Sequence, residues 1–328
     1  VSPPGTAPHP ALPRTTEEIT MTTPQPLAGV LPVVQTPFTA DGDIDLPALG
    51  AEIEWVLDQG VAGITTGMVS EILRLTESER RTLAEAVVAG ASRRGAVSVI
   101  ACGAESTRTA VSHARHAEQL GATAVMAIPP VTVALSDDAM FGYYAAIAES
   151  VGIGLIVQDA SGYIGRSLSI GMQARLLDTF GEQIAFKPEA DPIGPRLTLL
   201  RDATDGRARA FEGSGGAALV DSFRRGVVGT MPGSEVCWAI QAMWDALQAG
   251  DWDTAYAISG PLNQLVSLET SIDIYVAIEK HLLSRQGVLP STAQRSPLQL
   301  ELDRETREEV DRLFDRISAA AARPAVAV

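Results

Sequence analysis

Ile184-Ala185-Phe186-Lys187-Pro188-Glu189 is a short apolar run that ends in a lysine. Proline at 188 disfavours the helical region for the residue before it, so Lys187 is expected to be extended, at the end of a strand. A lysine seldom ends a buried strand unless it is paired or engaged in chemistry. An amine held among apolar walls becomes a nucleophile that can form a Schiff base with a ketone. The plainer reading is a lysine that lays its stem on a sheet rim and keeps its ammonium in water. The surrounding pattern decides between them.

That pattern alternates strands and helices. Apolar strand segments are read at 31–36, 61–66, 97–102, 124–128, 154–158, 184–187, 209–212 and 227–231. Helices are read between and after them, at 46–59, 76–89, 107–120, 137–151, 168–180, 195–201, 217–224 and 237–249. In the first helix Leu49, Ile53, Val56 and Leu57 share one face, and Thr76-Glu77-Ser78-Glu79 opens the second as a cap with an acidic first turn. No tight hairpin turn joins neighbouring strands, so the pairing is expected to be parallel. Eight such units predict a (β/α)8 TIM barrel over 27–250. A doubly wound sheet competes less well, because neither G-x-G-x-x-G after the first strand nor G-x-x-x-x-G-K-[ST] anywhere is present. Helical patterns at 253–269, 271–285 and 305–319 make 251–328 a C-terminal helical appendage packed on the barrel. Residues 1–26, rich in Pro and Thr, read as a flexible leader without a signal-peptide pattern, and Met21 is a candidate start.

Composition narrows the function. The 328 residues carry 25 Lys+Arg against 40 Asp+Glu, a net charge of −15, which argues against nucleic acid or an anionic membrane as partner. Apolar residues make up 46 %, enough for a substantial core. No window approaches the roughly 18 apolar residues of a membrane span, and a cytoplasmic protein is expected. Cys102 and Cys237 give no disulfide framework. His113 and His116 lie three apart on a predicted helix but lack a third ligand, so no metal site is expected.

In a barrel, chemistry gathers at the C-terminal strand ends. There the chain offers Thr36, the run Gly67-Met68-Val69-Ser70-Glu71, Gln158-Asp159, Lys187 with Glu189 just past it, Glu212-Gly213-Ser214-Gly215-Gly216, and Thr230-Met231-Pro232-Gly233-Ser234. The glycines serve equally as plain turn residues, Glu71 as a helix-cap or solvent-facing residue, and Asp159 as a loop Asx turn.

The order and register of these segments resemble the Schiff-base aldolases and dehydratases typified by dihydrodipicolinate synthase and N-acetylneuraminate lyase. Leu31-Pro32-Val33-Val34-Gln35-Thr36-Pro37-Phe38 resembles that family's opening strand, and Gly226-Val227-Val228-Gly229-Thr230 its eighth. Lys187 stands where the family places its Schiff-base lysine. Met68 and Val69 replace the family's two loop threonines and Ser70 its next glycine, while Glu71 is kept. Gln158 stands at the position of the family's proton-shuttling tyrosine, and glutamine has no comparable acid–base capacity. The family's second-substrate arginine falls near Tyr163, with Arg166 out of register. Glutamine-aspartate after strand five, Pro129-Pro130 after strand four and the serine–glutamate loop resemble the 2-keto-3-deoxy sugar acid dehydratases, especially those acting on 2-keto-3-deoxy-L-arabonate.

The resemblance implies that Lys187 forms an imine with a 2-keto acid, without cofactor or metal. The iminium acidifies C3–H, and the resulting enamine expels the C4 hydroxyl. Glu71 and Asp159 are the expected proton relays, with Ser214 or a water between them. Gln158 is expected to orient the substrate hydroxyl. The N–H groups of Val69 and Ser70 are expected to hold the carboxylate, with Thr36, Ser214 and Gly215 completing the binding surface. A pyruvate-dependent aldolase, a condensing synthase and an inactive binding protein are the alternatives. The resemblance also implies a homo-oligomer, a tetramer or dimer, but no tyrosine follows strand four at Pro129-Pro130-Val131 to enter a neighbour's site.

Overall fold

The computed structural model describes residues 27–161 and 167–322. The expected leader, Tyr163 and Arg166 lie outside the described residues. The strands are β1 (Gly29–Val30), β2 (Gly63–Thr65), β3 (Val97–Ala101), β4 (Ala124–Ala127), β5 (Gly154–Asp159), β6 (Ile184–Pro188), β7 (Phe211–Glu212) and β8 (Gly229–Thr230). All their pairings are parallel. Two runs, β1-β8-β7 and β2-β3-β4-β5-β6, are joined by parallel bridges between Val33 and Thr65 and between Phe186 and Ala210. The ring is therefore closed, as the strand–helix alternation predicts.

Helices α1 (Leu46–Leu57), α2 (Glu77–Arg93), α3 (Thr107–Leu120), α4 (Asp137–Ser150), α5 (Ile170–Phe180), α6 (Ile193–Ala203), α7 (Leu219–Arg224) and α8 (Cys237–Ala249) surround it. Side-chain oxygens cap the starts of several of them: Asp45 accepts from the Ala48 amide, Ser106 from Thr109 and Ser136 from Ala139. Thr76 and Glu79 form the reciprocal cap expected from the sequence.

Period-two alternation sorts each strand into an inner and an outer set. Leu31, Val99, Met126, Ile156, Ala185, Phe211 and Met231 belong to the cluster that fills the barrel. Val30, Ile64, Ile100, Val125, Leu155 and Phe186 face outward and share a second cluster with helix residues such as Leu49, Ile53 and Val87.

The strand expected at 31–36 is displaced. Its ladder runs from Gly29, whose amide donates to Val228 O, to Val34, whose amide donates to Thr65 O, each at 2.9 Å. Pro32 supplies no N–H and interrupts it. Beyond Val34 the Gln35 amide turns to the Glu52 carboxylate, 2.7 Å away, and the chain leaves the sheet. The second, seventh and eighth strands are likewise shorter than their apolar segments. The C-terminal helices are α9 (Trp252–Val266), α10 (Ile272–Arg285) and α11 (Arg304–Ala321). α9 packs on α8 and α11, while α10 packs on the 3-10 turn Met68–Ser70 at the barrel mouth.

Candidate active site

The parallel register sets Gln158 beside Lys187 and Asp159 beside Pro188. Ile156 and Ala185 lie inside the barrel, so alternation sends Gln158 and Lys187 inward and Asp159 outward. Lys187 is 5 % exposed and opens onto a narrow cavity bordered by Val69, Gln158, Glu189, Gly213 and Tyr275.

Glu189, two residues past Lys187, returns to the same inner side. Its Oε1 lies 3.0 Å from Lys187 Nζ and accepts a hydrogen bond from Gln158 Nε2 at 2.9 Å. Its Oε2 has no hydrogen-bond partner among the described residues. Burial raises the Glu189 pKa, and the Lys187 ammonium opposes that rise. A carboxylate in this position can take the lysine's proton and free the amine. Gly213 is what admits the pair. A Cβ there would sit 2.7 Å from Glu189 Cγ and 3.0 Å from Lys187 Cε. In the sequence, the spacing of two from Lys187 is the signal that puts Glu189 on the same face of the strand end.

Other candidates are placed differently. Glu71 does not reach the cavity. It adopts a left-handed backbone, φ 58°, and its Oε1 meets Lys280 Nζ at 2.5 Å while its Oε2 accepts from the Arg295 amide at 2.7 Å. Lys280 also donates to the carbonyls of Thr36 and Ala293. Both side chains of the pair are buried, so Glu71 is held in a structural ion pair. Asp159 faces away from the cavity. It accepts from the amides of Ser161 and Leu168 and lies 3.5 Å from Arg196. Its burial raises its pKa, with those hydrogen bonds and Arg196 opposing.

Thr36 donates to Ser70 O at 2.6 Å and is fully buried. Ser70 donates its hydroxyl to Val34 O at 2.6 Å, accepts from the Gly67 amide, and gives its own amide to Gly67 O. These groups brace the turn and are not available to a carboxylate. The amide of Val69 opens that turn and so has no acceptor within it. Ser214 is engaged with the buried Glu212 carboxylate, which also accepts from the Gly216 amide and the Thr230 hydroxyl. Gly215 has φ +65°, and a Cβ there would lie 2.8 Å from the Tyr275 hydroxyl oxygen.

Tyr275 is not among the residues that the sequence pattern singles out. It comes from α10, and the sequence gives its helix but not what that helix faces. Behind the cavity wall at Gly233 lies a group of buried carboxyls, Glu52, Glu235, Glu269 and Glu279. Burial pushes Glu52 and Glu235 up to about 7. It raises Glu269 and Glu279 well above the usual carboxylate range, and Glu235 adds to the rise in both. Among the described residues no group of three or more His, Cys, Asp or Glu is arranged to hold a metal ion. None of their helices is long and apolar enough to cross a membrane.

A closed parallel barrel with a buried lysine at the end of its sixth strand, facing a carboxylate, is an arrangement suited to a lyase that works through a lysine imine. The chain belongs to the dihydrodipicolinate synthetase family, whose model matches residues 26–317. It is 28 % identical to an L-2-keto-3-deoxyarabonate dehydratase of Azospirillum brasilense, over 86 % of this chain and 92 % of that protein. It is also 28 % identical to a 4-hydroxy-tetrahydrodipicolinate synthase of Rhizobium meliloti, over 86 % of this chain and 96 % of that one. The fold matches the Methylacidiphilum fumariolicum 4-hydroxy-tetrahydrodipicolinate synthase with a TM-score of 0.82 at 21 % identity, covering 90 % and 97 % of the two chains. It matches the Escherichia coli prophage protein YagE, solved with pyruvate, with a TM-score of 0.81 at 23 % identity, covering 89 % and 99 %.

Proposed function

We propose that this lyase dehydrates a 2-keto-3-deoxy sugar acid through a Schiff base on Lys187. The observation that carries the reading is the set Lys187–Glu189–Gln158, in which a carboxylate touches the amine and glutamine occupies the neighbouring strand end. Glu189 takes the proton from Lys187, the free amine attacks the C2 carbonyl, and Glu189 returns that proton to the carbinolamine hydroxyl, which leaves as water to give the iminium. The iminium then draws electrons from C3, and Glu189 removes the C3 proton to give the enamine. Gln158 orients the substrate by hydrogen bonding without exchanging a proton. The Val69 amide binds the C1 carboxylate. The enamine expels the C4 hydroxyl as water. Where C5 carries a hydroxyl, loss of a C5 proton and protonation at C3 give the enol of a dicarbonyl. Hydrolysis of the imine releases it. The iminium serves as the electron sink, so the chemistry calls for no further cofactor.

The Azospirillum relative carries a dehydratase name, whereas the Rhizobium relative carries a synthase name at equal identity. Glutamine at 158 favours elimination, since aldol cleavage or condensation needs a proton shuttle on the carbon–carbon bond that changes. The test is incubation with 2-keto-3-deoxy-L-arabonate followed by product identification. A dicarbonyl of unchanged carbon count supports the dehydratase. Release of pyruvate replaces it with an aldolase, and no turnover beside condensation of pyruvate with an aldehyde replaces it with a synthase. We also propose a cytoplasmic homo-oligomer, a tetramer or dimer, in which the barrel spans 27–250 and the helical region 251–328 closes one side of the site.

A further inference from the structure

Elimination of a hydroxyl needs a proton on the departing oxygen, and the set around Lys187 does not supply it. Glu189 is occupied as the base for C3, and glutamine cannot donate a proton productively. Asp159 and Glu71, the expected donors, point elsewhere. Tyr275 also borders the cavity, on α10 rather than on a barrel strand. It is 7 % exposed. Its hydroxyl lies on the Cβ side of Gly215, 2.8 Å from where that atom would stand, and the Glu269 Oε2 lies 3.8 Å from the same point. Both groups border the same side of Gly215, but no hydrogen bond joins them, since neither Glu269 oxygen has a partner among the described residues.

We propose that Tyr275 is the proton donor to the departing C4 hydroxyl. The inference rests on the Schiff-base dehydration argued above. In the step, the enamine electrons form the C3–C4 double bond and the C4–O bond breaks with its pair on oxygen. The Tyr275 proton moves to that oxygen, and water leaves. The phenolate regains a proton from solvent that enters the cavity on product release, and Glu189 gives up the C3 proton to the same solvent. The proton count closes, and no oxidant or reductant is involved. The helical region thereby supplies half of the elimination, while the barrel supplies the imine and the enamine.

The test uses the full chain and Tyr275→Phe with three readouts. The first is trapping of the Lys187 imine with pyruvate and borohydride. The second is exchange of the substrate C3 hydrogens in heavy water, which reports the enamine. The third is elimination from a 4-hydroxy substrate compared with its 4-fluoro analogue, whose fluoride leaves without a proton. The proposal expects imine and exchange within about threefold of the parent, loss of water elimination by about 10²-fold or more, and fluoride release within about threefold. Water elimination within about threefold of the parent overturns it. So does an equal loss of water and fluoride elimination, which marks a packing role. If the parent chain forms no imine at Lys187, the dehydration reading itself has failed, a result that is seen before Tyr275 is tested.

Discussion

The ion pair between Glu71 and Lys280 separates a structural role from a catalytic one. Its two side chains are 1 % and 0 % exposed, and the charges meet at 2.5 Å. Lys280 holds two backbone carbonyls as well, joining the end of the first strand to the segment around Ala293. Burial lowers the Lys280 pKa and the Glu71 carboxylate resists that, so each charge depends on the other. Removing one partner leaves an uncompensated buried charge, which typically costs about 3–5 kcal/mol. Glu71→Gln and Lys280→Met are each expected to lose that much in urea unfolding followed by tryptophan fluorescence. The double variant is expected to lose less than the two single losses added together, because the orphaned charge is gone, giving a coupling of about 0.5–3 kcal/mol. Turnover of folded Glu71→Gln protein should stay within about threefold of the parent, against the 10²–10⁴-fold loss that removing a general acid or base produces. Full stability of Glu71→Gln with turnover lowered about 10²-fold or more would refute the placement of Glu71 outside the chemistry.

Two further outcomes follow from the same geometry. Gly213→Ala should retain the fold yet lose turnover by at least about tenfold, because its Cβ forces Glu189 and Lys187 apart; steady-state kinetics with a urea midpoint checks this. Raising the pH from 5 to 8 should destabilise the protein. Glu52 has a folded pKa of about 7 against an ordinary 4.5, so the folded state holds its proton longer. The stability it lends is complete below about 4.5 and is lost as pH rises through 7, on the order of 3 kcal/mol from this group alone. Denaturant titrations across that range should show the fall, and Glu52→Gln should make it shallower while Glu235 keeps its own share.

Much of the barrel is legible because its cause is local. Each strand carries its own apolar segment, and the inner and outer faces follow from period two. That rule places Lys187 and Gln158 inside and Asp159 outside, although proximity in sequence alone groups Gln158 with Asp159. Pro32 shortens the first ladder in a way its flanking valines conceal. Glu71 is the clearest limit. Its partner Lys280 lies 209 residues away on a helix whose register against the barrel no local pattern encodes. Tyr275 escapes for the same reason, since helix periodicity defines a face but not what that face meets. The Thr36 and Ser70 hydroxyls were good candidates by type, yet they satisfy backbone carbonyls where the chain leaves the sheet.

Borohydride trapping reports whether Lys187 forms the imine. Parent enzyme incubated with pyruvate and borohydride should gain one reduced adduct by intact mass, located by peptide mapping on Lys187. Lys187→Arg should gain none. An unmodified parent, or an adduct on another lysine that persists in Lys187→Arg, would exclude Lys187 as the imine-forming residue.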